Sequence, residues 1–356
     1  MDTRVHLDSV VELEQRDPAG MLQLVEGFPG QLREAVQTAE GLQWPDLGEV
    51  DKVVLLGLGG SAIAGDLVKA YLRDELAVPY QVVRHYQAPA WVDDGTLALV
   101  SSYSGNTEET LSACEAVRHA GARVVCLTSG GELGRIAERE GYPWFPFPSG
   151  RPPRTALPYS FVAVLHALRA AGLIADKLAE VRRSADWAER RVQVLGPTAP
   201  TSENQAKVLA RKLAGRIPVV YGSADGLVHV ARRWAGQFSE NGKTLAYFSE
   251  LPEMNHNEIV GWKHPGDLLR RVLPIFLRDE EDHLRIQARA EITRELLAGH
   301  AEETLEFWSA GDTRLERLWS LVLLGDFASV YLAFLQREDP TPVEVIDLLK
   351  TRMKQF

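Results

Sequence analysis

Cysteine is scarce in this chain: Cys114 and Cys126 are the only two among 356 residues. They have no CxxC spacing and no histidine pair beside them, which excludes a zinc cluster and a disulfide framework and favours a reducing cytoplasm. Basic residues are outnumbered, with 39 Lys and Arg against 49 Asp and Glu and a formal net charge of -10. Because nucleic-acid phosphates are neutralised by clustered Lys and Arg, nucleic acid is not an expected partner.

Long hydrophobic runs are nearly absent. The exception is residues 318–335, LWSLVLLGDFASVYLAFL, which carry a single charge, Asp326, near their middle. A charge there would cost about 2.5–3.5 kcal/mol to place in a bilayer, so the run predicts a helix buried in a protein core, and no membrane partner is expected. Residues 1–19 hold five acids and no long apolar stretch, so a secretory signal is not expected.

What the sequence does contain is a regular alternation of apolar runs with helical patterns. Strands are predicted at 52–59, 80–84, 97–102 and 123–128, with helices at about 62–72 and 107–120. Continuous Val and Leu runs joined by helices indicate a parallel sheet covered on both faces. The stretch 141–158 holds six of the 19 prolines, which predicts a domain boundary there.

A second alternation follows a mostly helical connector at 159–195. Strands are predicted at 217–221, 244–249 and 271–277, and helices at 227–240, 281–297, 314–335 and from Pro342 onward. The similar plan of the two halves suggests a pseudo-repeat. The predicted fold is therefore α/β with two doubly wound parallel-sheet domains, one at 1–152 and one at 153–356 that includes the helical connector.

The first loop with chemical potential is GLGGSAIAGD, residues 57–66, between a buried strand and a helix. Its glycines allow close backbone approach to a ligand, and the free amides of the helix favour an anion. The spacing Gly57-x-Gly59-x-x-Ala62 also fits a dinucleotide fingerprint. An NAD site would need an acid after the next strand, where Arg84 stands instead, so an NADP-dependent reductase is an alternative. Tight turn geometry would explain the glycines about as well.

The second loop, SSYSGNTEET at residues 101–110, also lies between a strand and a helix. It offers the hydroxyls of Ser102, Ser104 and Thr107 together with helix amides, which makes a compact cradle for a phosphate monoester. In the simpler alternative, Asn106 or Thr107 is only a helix cap. One residue would satisfy that role, and the run of small polar residues exceeds it.

Together these two loops resemble the sugar isomerase (SIS) domain, a doubly wound fold that binds phosphosugars. The likeness continues in order through PRTAL at 153–157, SENGK at 239–243, NHNE at 255–258 and PVEVIDLLK at 342–350. This set resembles the bifunctional phosphoglucose/phosphomannose isomerase family, from about residue 50 to the end. The resemblance implies two SIS-type domains. It also implies a cytoplasmic enzyme that interconverts glucose 6-phosphate, and mannose 6-phosphate, with fructose 6-phosphate through a cis-enediol.

The resemblance also assigns roles to residues. His256 and Lys350 match the pair that opens the sugar ring, Glu240 matches the base that moves the proton between C2 and C1, and Arg154 matches the cation beside the enediolate. Thr341 is the candidate hydroxyl that permits rotation about C2–C3. The substrate phosphate would be held by Gly60, Ser61, Ser102, Ser104 and Thr107. No metal or cofactor is expected, and a homodimer is implied in which the histidine serves the partner's site.

Structural explanations remain for each of these residues taken singly. Glu240 could be a solvated acid at a helix end, although a carboxylate is disfavoured there. His256 could be a surface residue in a polar turn, and Lys350 an ordinary cation in a final helical turn. Pro158 stands where the family often has glycine, close to Arg154.

A non-catalytic phosphosugar sensor is the alternative from another class. Such regulators usually carry a basic DNA-binding module, whereas the first 50 residues here contain only three Arg or Lys.

Overall fold

The structure is a computed structural model that describes residues 5–224 and 226–356. Within those ranges the strands are β1 (Lys52–Leu56), β2 (Tyr80–Val83), β3 (Thr96–Ser101), β4 (Arg123–Thr128), β5 (Trp144–Pro146), β6 (Ile217–Ser223), β7 (Tyr247–Leu251), β8 (Val272–Arg278) and β9 (Leu305–Trp308). The α-helices there are α1 (Val10–Arg16), α2 (Met21–Glu26), α3 (Phe28–Gly41), α4 (Gly59–Tyr71), α5 (Glu108–His119), α6 (Gly131–Glu140), α7 (Leu157–Ala170), α8 (Leu178–Leu195), α9 (Gln205–Leu213), α10 (Val228–Glu240), α11 (Glu258–Gly261), α12 (Gly266–Leu269), α13 (Leu284–Leu297), α14 (Arg314–Gln336) and α15 (Glu344–Met353).

The strands form two separate sheets. The first has five parallel strands in the order β2-β1-β3-β4-β5, and the second has four parallel strands in the order β7-β6-β8-β9. In both, the first strand in sequence lies between the second and the third, so the strand order reverses direction at the same step. This repeated order is the doubly wound arrangement, in which the connections between strands cover both faces of a sheet. It agrees with the predicted pseudo-repeat.

Packing divides the chain into two compact units. The five-stranded unit comprises 27–189 with 311–318, and the four-stranded unit comprises the described residues up to Glu26 with 190–310 and 319–356. The predicted domains, 1–152 and 153–356, divide the chain at a different place. The reason is α7, which follows the proline-rich stretch and packs against α3 and α4 within the five-stranded unit.

The long apolar run forms α14, as predicted for a core helix. By length and composition α14 could cross a membrane, yet 94% of its most apolar window is buried inside the protein. Its one central charge, Asp326, accepts hydrogen bonds from Arg233 Nε at 2.9 Å, from Arg233 Nη2 at 2.6 Å and from Gln237 Nε2 at 2.9 Å. Burial raises the pKa of Asp326, and the Arg233 guanidinium opposes that rise. A paired and hydrogen-bonded carboxylate is the form in which a core tolerates charge.

His166, in the five-stranded unit, is buried between aromatic side chains. His166 on α7 is 4% exposed, and its ring packs edge-on against Trp44 at 4.4 Å and against Phe145 at 6.2 Å between centroids. Among the described residues neither of its ring nitrogens has a hydrogen-bond partner. Burial, with Arg169 nearby, lowers the pKa of His166 to about 4. The folded protein therefore holds this histidine neutral.

We expect the His166→Phe variant to lose part of the acid sensitivity of folding. An unfolded chain binds a proton at His166 below pH about 6.5, whereas the folded chain does so only near pH 4. Stability is therefore lost as the pH falls through this window, by about 2 kcal/mol between pH 7 and pH 5. Urea unfolding at both pH values measures the loss in wild type and in His166→Phe, with the exposed His119→Phe as control. An unchanged pH dependence in His166→Phe would contradict this.

Candidate functional site

The five-stranded sheet reverses strand order between β1 and β3, and two loops leave its carboxyl edge there. In open α/β sheets ligands bind at this crevice. The first loop leads into α4, whose cap residue, Leu58, has no side chain that can cap the helix. A Cβ on Gly60 would lie 2.8 Å from the carbonyl oxygen of Pro153. Glycine is thus required for the PRTAL segment to pack against the start of α4.

The second loop carries a pair of hydroxyls. Ser102 Oγ and Thr107 Oγ1 lie 2.9 Å apart and share a hydrogen bond. Thr107 is the cap residue of α5, but its side chain makes no capping hydrogen bond to that helix. The alternative in which Thr107 serves only as a cap is therefore not supported. The arrangement fits a phosphate cradle, in which hydroxyls and first-turn amides converge on one anion.

The loop after β4 packs against this cradle and is hydrogen-bonded to it. A Cβ on Gly105, which has φ of 67°, would lie 1.8 Å from the carbonyl oxygen of Gly130. The amide of Leu133 donates to the carbonyl of Gly105 at 2.9 Å, and Ser129 Oγ donates to the carbonyl of Tyr103 at 2.7 Å. Hydrogen bonds of this kind pre-organise a binding loop, so that a smaller entropic cost of ordering the loop is incurred when the ligand binds.

Tyr103, for which no role is predicted from the sequence, connects the elements of the cradle. Its amide donates to Ser61 Oγ at 3.3 Å, which joins the two loops. Its hydroxyl donates to the carbonyl of Pro148 at 2.6 Å and accepts from the amide of Arg151 at 3.1 Å. The chain leading to Arg154 is thereby tied to the loop after β3. An aromatic residue inside a run of small polar ones was the available signal.

Arg154 lies in a short 3₁₀ helix, Pro153–Thr155, and is 4% exposed. Pro158, the residue that differs from the family pattern, is the second residue of α7. Proline is tolerated in the first turn of a helix because the amide it lacks would have no partner within that helix. Pro158 therefore accommodates the loop that carries Arg154. Six predicted site residues lie in the five-stranded unit, around the carboxyl edge of its sheet: Gly60, Ser61, Ser102, Ser104, Thr107 and Arg154.

Arg84, which the NADP alternative would use for a 2′-phosphate, is engaged inside the protein. Its guanidinium is hydrogen-bonded to the carboxylate of Asp66, a buried residue of α4. A neutralised arginine is a poor receptor for a second anion. This pairing gives the NADP alternative no support.

Glu240 is the last residue of α10, in the four-stranded unit. The apolar side chains of this helix and of its cap residue that recur at helical spacing are buried: Leu227, Ala231, Trp234 and Phe238. The backbone carbonyl of Glu240 accepts a hydrogen bond from Lys243 Nζ at 2.6 Å, and its side chain is half-buried. The helix end is thus fixed while the carboxylate keeps access to solvent.

His256 is exposed in the NHNE motif, as is Asn257 beside it. Asn255 Nδ2 donates to Thr293 Oγ1 at 2.7 Å, and Asn257 accepts from the amide of Glu258 at 2.6 Å. Glu258 in turn accepts from the hydroxyl of Tyr221. Three of the four motif residues thus hold the turn, and the turn presents the imidazole of His256 to solvent.

The four-stranded unit does not bring Glu240 and His256 together. The helix α10 starts beyond the carboxyl end of β6 and runs back for 13 residues, about 20 Å, so Glu240 lies towards the amino edge of the sheet. The strand β7 then returns to the carboxyl edge, and His256 follows it. One chain thus presents these two residues at opposite edges of the same sheet. Lys350 is exposed on α15 of this unit.

A doubly wound sheet with a hydroxyl and amide cradle at its switch point is characteristic of the SIS domain. The family model of the SIS domain matches residues 46–140. The model described as the bacterial phospho-glucose isomerase C-terminal SIS domain matches residues 202–353. The predicted α/β fold with two SIS-type domains is therefore confirmed.

Relatives with curated names narrow the class. The bifunctional phosphoglucose/phosphomannose isomerase of Caldicellulosiruptor bescii is 41% identical over 94% of this chain and 99% of its own length. That of Aquifex aeolicus is 34% identical over 93% of this chain and 98% of its own length. The chain belongs to the bifunctional phosphoglucose/phosphomannose isomerase family, and it is an aldose–ketose isomerase of phosphosugars.

A solved structure shows the same fold at lower identity. A hypothetical protein from Thermus thermophilus aligns over 97% of this chain and 92% of its own, with a TM-score of 0.74 and 20% identity. This likeness supports the fold of the chain and says nothing of its substrate.

We expect Ser104→Ala to weaken substrate binding more than catalysis. Ser104 is exposed at the cradle, and its Oγ accepts a local hydrogen bond from the amide of Asn106 at 3.2 Å. Loss of one hydrogen bond to a charged phosphate should raise KM about tenfold, with kcat nearly unchanged. Initial rates with Ser202→Ala, an exposed serine of the other unit, provide the control. Equal KM values in wild type and Ser104→Ala would remove Ser104 from the cradle.

Proposed function

We propose that this isomerase interconverts glucose 6-phosphate and fructose 6-phosphate, and mannose 6-phosphate with the same ketose, through a cis-enediol. The relatives that carry both activities in their names support this choice of sugars. The observation that carries the proposal is the Ser102–Thr107 hydroxyl pair between two helix starts without side-chain caps, a shape suited to a phosphate monoester. Glucose and mannose differ only at C2, which is planar in the enediol, so one site can serve both.

We assign the proton chemistry to side chains alone. His256 and Lys350 open the pyranose by protonating the ring oxygen and removing the O1 proton. Glu240 then carries the proton between C2 and C1, which requires a carboxylate held beside those carbons. Arg154 stabilises the negative charge on the enediolate oxygens, because a guanidinium keeps its charge and presents several donors. Proton transfer of this kind requires no metal or organic cofactor, and we propose that the enzyme works without one in the cytoplasm.

We propose further that the active form is a homodimer. The placement of Glu240 and His256 at opposite edges of one sheet supports a site completed by the partner's histidine. The helix α15 also exposes apolar side chains that a second copy would cover: Val345, Ile346, Leu348, Leu349 and Met353. Light scattering of the purified protein measures the mass directly, and a monomer at assay concentration would refute this part of the proposal.

The function is tested by coupled assays that consume fructose 6-phosphate. We expect the purified enzyme to produce it from both glucose 6-phosphate and mannose 6-phosphate. Activity with one aldose alone would refute the dual specificity. Binding of both sugars without turnover would instead favour the non-catalytic sensor.

A further inference from the structure

The residues that end α10 are fixed more firmly than a surface turn requires. Asn241 is fully buried and its Nδ2 donates to Ser329 Oγ on α14 at 2.9 Å. Gln336, at the end of α14, donates to the carbonyl of Gly242 and to Thr244 Oγ1 at 2.8 Å. The segment that follows Glu240 is therefore held against α14 at two points.

Lys243 occupies the left-handed position of this cap, with φ of 49°. The amide of Thr244 donates to the carbonyl of Phe238 at 3.0 Å, which closes the turn that follows α10. Glycine is the usual residue at that position because it has no Cβ to clash. A lysine there points to a role for its side chain that outweighs the backbone strain.

The Lys243 ammonium binds three backbone carbonyls, as many as it has protons. It donates to Glu240 at 2.6 Å, to Pro342 at 2.6 Å and to Pro340 at 3.3 Å. The first carbonyl belongs to the residue assigned as the base, and the other two flank Thr341. One side chain thus ties the end of α10 to the loop that precedes α15.

The loop that precedes α15 is also held by a hydrogen bond within itself. The amide of Thr341 donates to Asp339 Oδ1 at 2.8 Å. The backbone around Thr341 is therefore fixed both by Asp339 and by the Lys243 ammonium. Proline on each side of Thr341 also restricts the backbone of the segment. The position of the Thr341 segment relative to Glu240 therefore depends on the Lys243 ammonium.

We propose that Lys243 is a positioning residue that sets the relative turnover of the two C2-epimeric aldose phosphates. The inference rests on the proposed function, in which Glu240 is the base and the group beside C2–C3 governs rotation before reprotonation. Lys243 does not touch the reacting atoms. It fixes the distance between the base and the loop carrying Thr341, and a small change there alters which epimer reacts faster. The phosphate cradle lies in other loops and is untouched.

The test uses Lys243→Gly, which removes the ammonium while placing the favoured residue in the left-handed backbone. Folding is therefore not expected to suffer, and a melting curve checks this. The mannose 6-phosphate to glucose 6-phosphate ratio of kcat should change by about threefold or more, with smaller changes in KM. The conservative Lys243→Arg, which retains donors, should restore part of the wild-type ratio.

Arg337→Gly is the matched control. Arg337 is the other non-glycine residue with positive φ among the described residues, at 63°, and follows the end of α14. We expect it to keep the wild-type ratio. An equal shift in Arg337→Gly, or an unchanged ratio in Lys243→Gly, would overturn the role of the ammonium. Wild type that turns over neither aldose, or an active Glu240→Gln, would instead refute the proposed function, so the two failures are distinguishable.

Discussion

Glu240→Gln is expected to lower isomerisation by about 10²–10⁴-fold, because the amide cannot accept the proton that leaves C2. The substitution keeps the size of the side chain and the backbone carbonyl that Lys243 binds. Binding of the sugar phosphate should therefore persist while turnover is lost. Exchange of the C2 proton with deuterated solvent, followed by NMR, measures the same step without the coupling enzymes.

Two further variants show whether the loss of activity is specific to the proton-transfer step. Glu295→Gln, an exposed acid of α13, should retain full activity. His256→Ala should be impaired on the cyclic sugar and recover when an open-chain substrate is supplied, whereas Glu240→Gln should stay inactive with both. Solvent exchange at C2 that continues in Glu240→Gln would transfer the role of base to another group.

The second large effect is recovery of activity in a hybrid dimer. If each site takes Glu240 from one chain and His256 from the partner, a dimer of one Glu240→Gln chain and one His256→Ala chain has one intact site. With the cyclic sugar as substrate, on which each variant alone is inactive or impaired, the hybrid should thus yield about half the wild-type turnover per dimer. Coexpression with two different tags and purification through both isolates the hybrid for assay.

The reciprocal hybrid controls for assembly. When one chain carries both substitutions and its partner is wild type, each site lacks one of the two residues, and activity should be absent. Sites built within a single chain predict the reverse for both hybrids. The pair of measurements thus decides whether the histidine crosses between subunits.

Much of the fold could be predicted because the strands are continuous apolar runs. Strand β4 has the predicted bounds, and β1, β2 and β3 differ by a few residues at most. The strand predicted at 244–249 begins later, at Tyr247, because Thr244 is used by the cap of α10. Two elements of the first unit are not among the predictions: α6, which begins in a pair of glycines, and β5, a three-residue strand ending in proline. Strand β5 is too short to show a pattern, whereas α6 has Leu133, Ile136 and Ala137 at helical spacing, a signal that was present in the sequence.

The site was predictable where one loop carries several functional groups. The hydroxyls of Ser102 and Thr107 are five residues apart, so their meeting in the cradle could be expected from the sequence. The contacts of Tyr103 and Lys243 could not, since they join segments up to about a hundred residues apart. Spacing along the chain carries no information about such contacts. The roles of Glu240, His256, Lys350 and Arg154 stay predictions that the variants above will test.

The path of the chain between the two units has a consequence for proteolysis and synthesis. The backbone passes from one unit to the other at residues 26/27, 189/190, 310/311 and 318/319, so no single protease cut can release either unit intact. The short segment 311–318 is anchored by Arg314, whose Nη2 lies 2.6 Å from Asp74 Oδ2 beyond the end of α4.

The order of synthesis is affected as well. The helices α1 and α2 belong to the four-stranded unit, whose other residues are made only after residue 189. During translation these two helices therefore lack their packing partners until after most of the five-stranded unit has been synthesised.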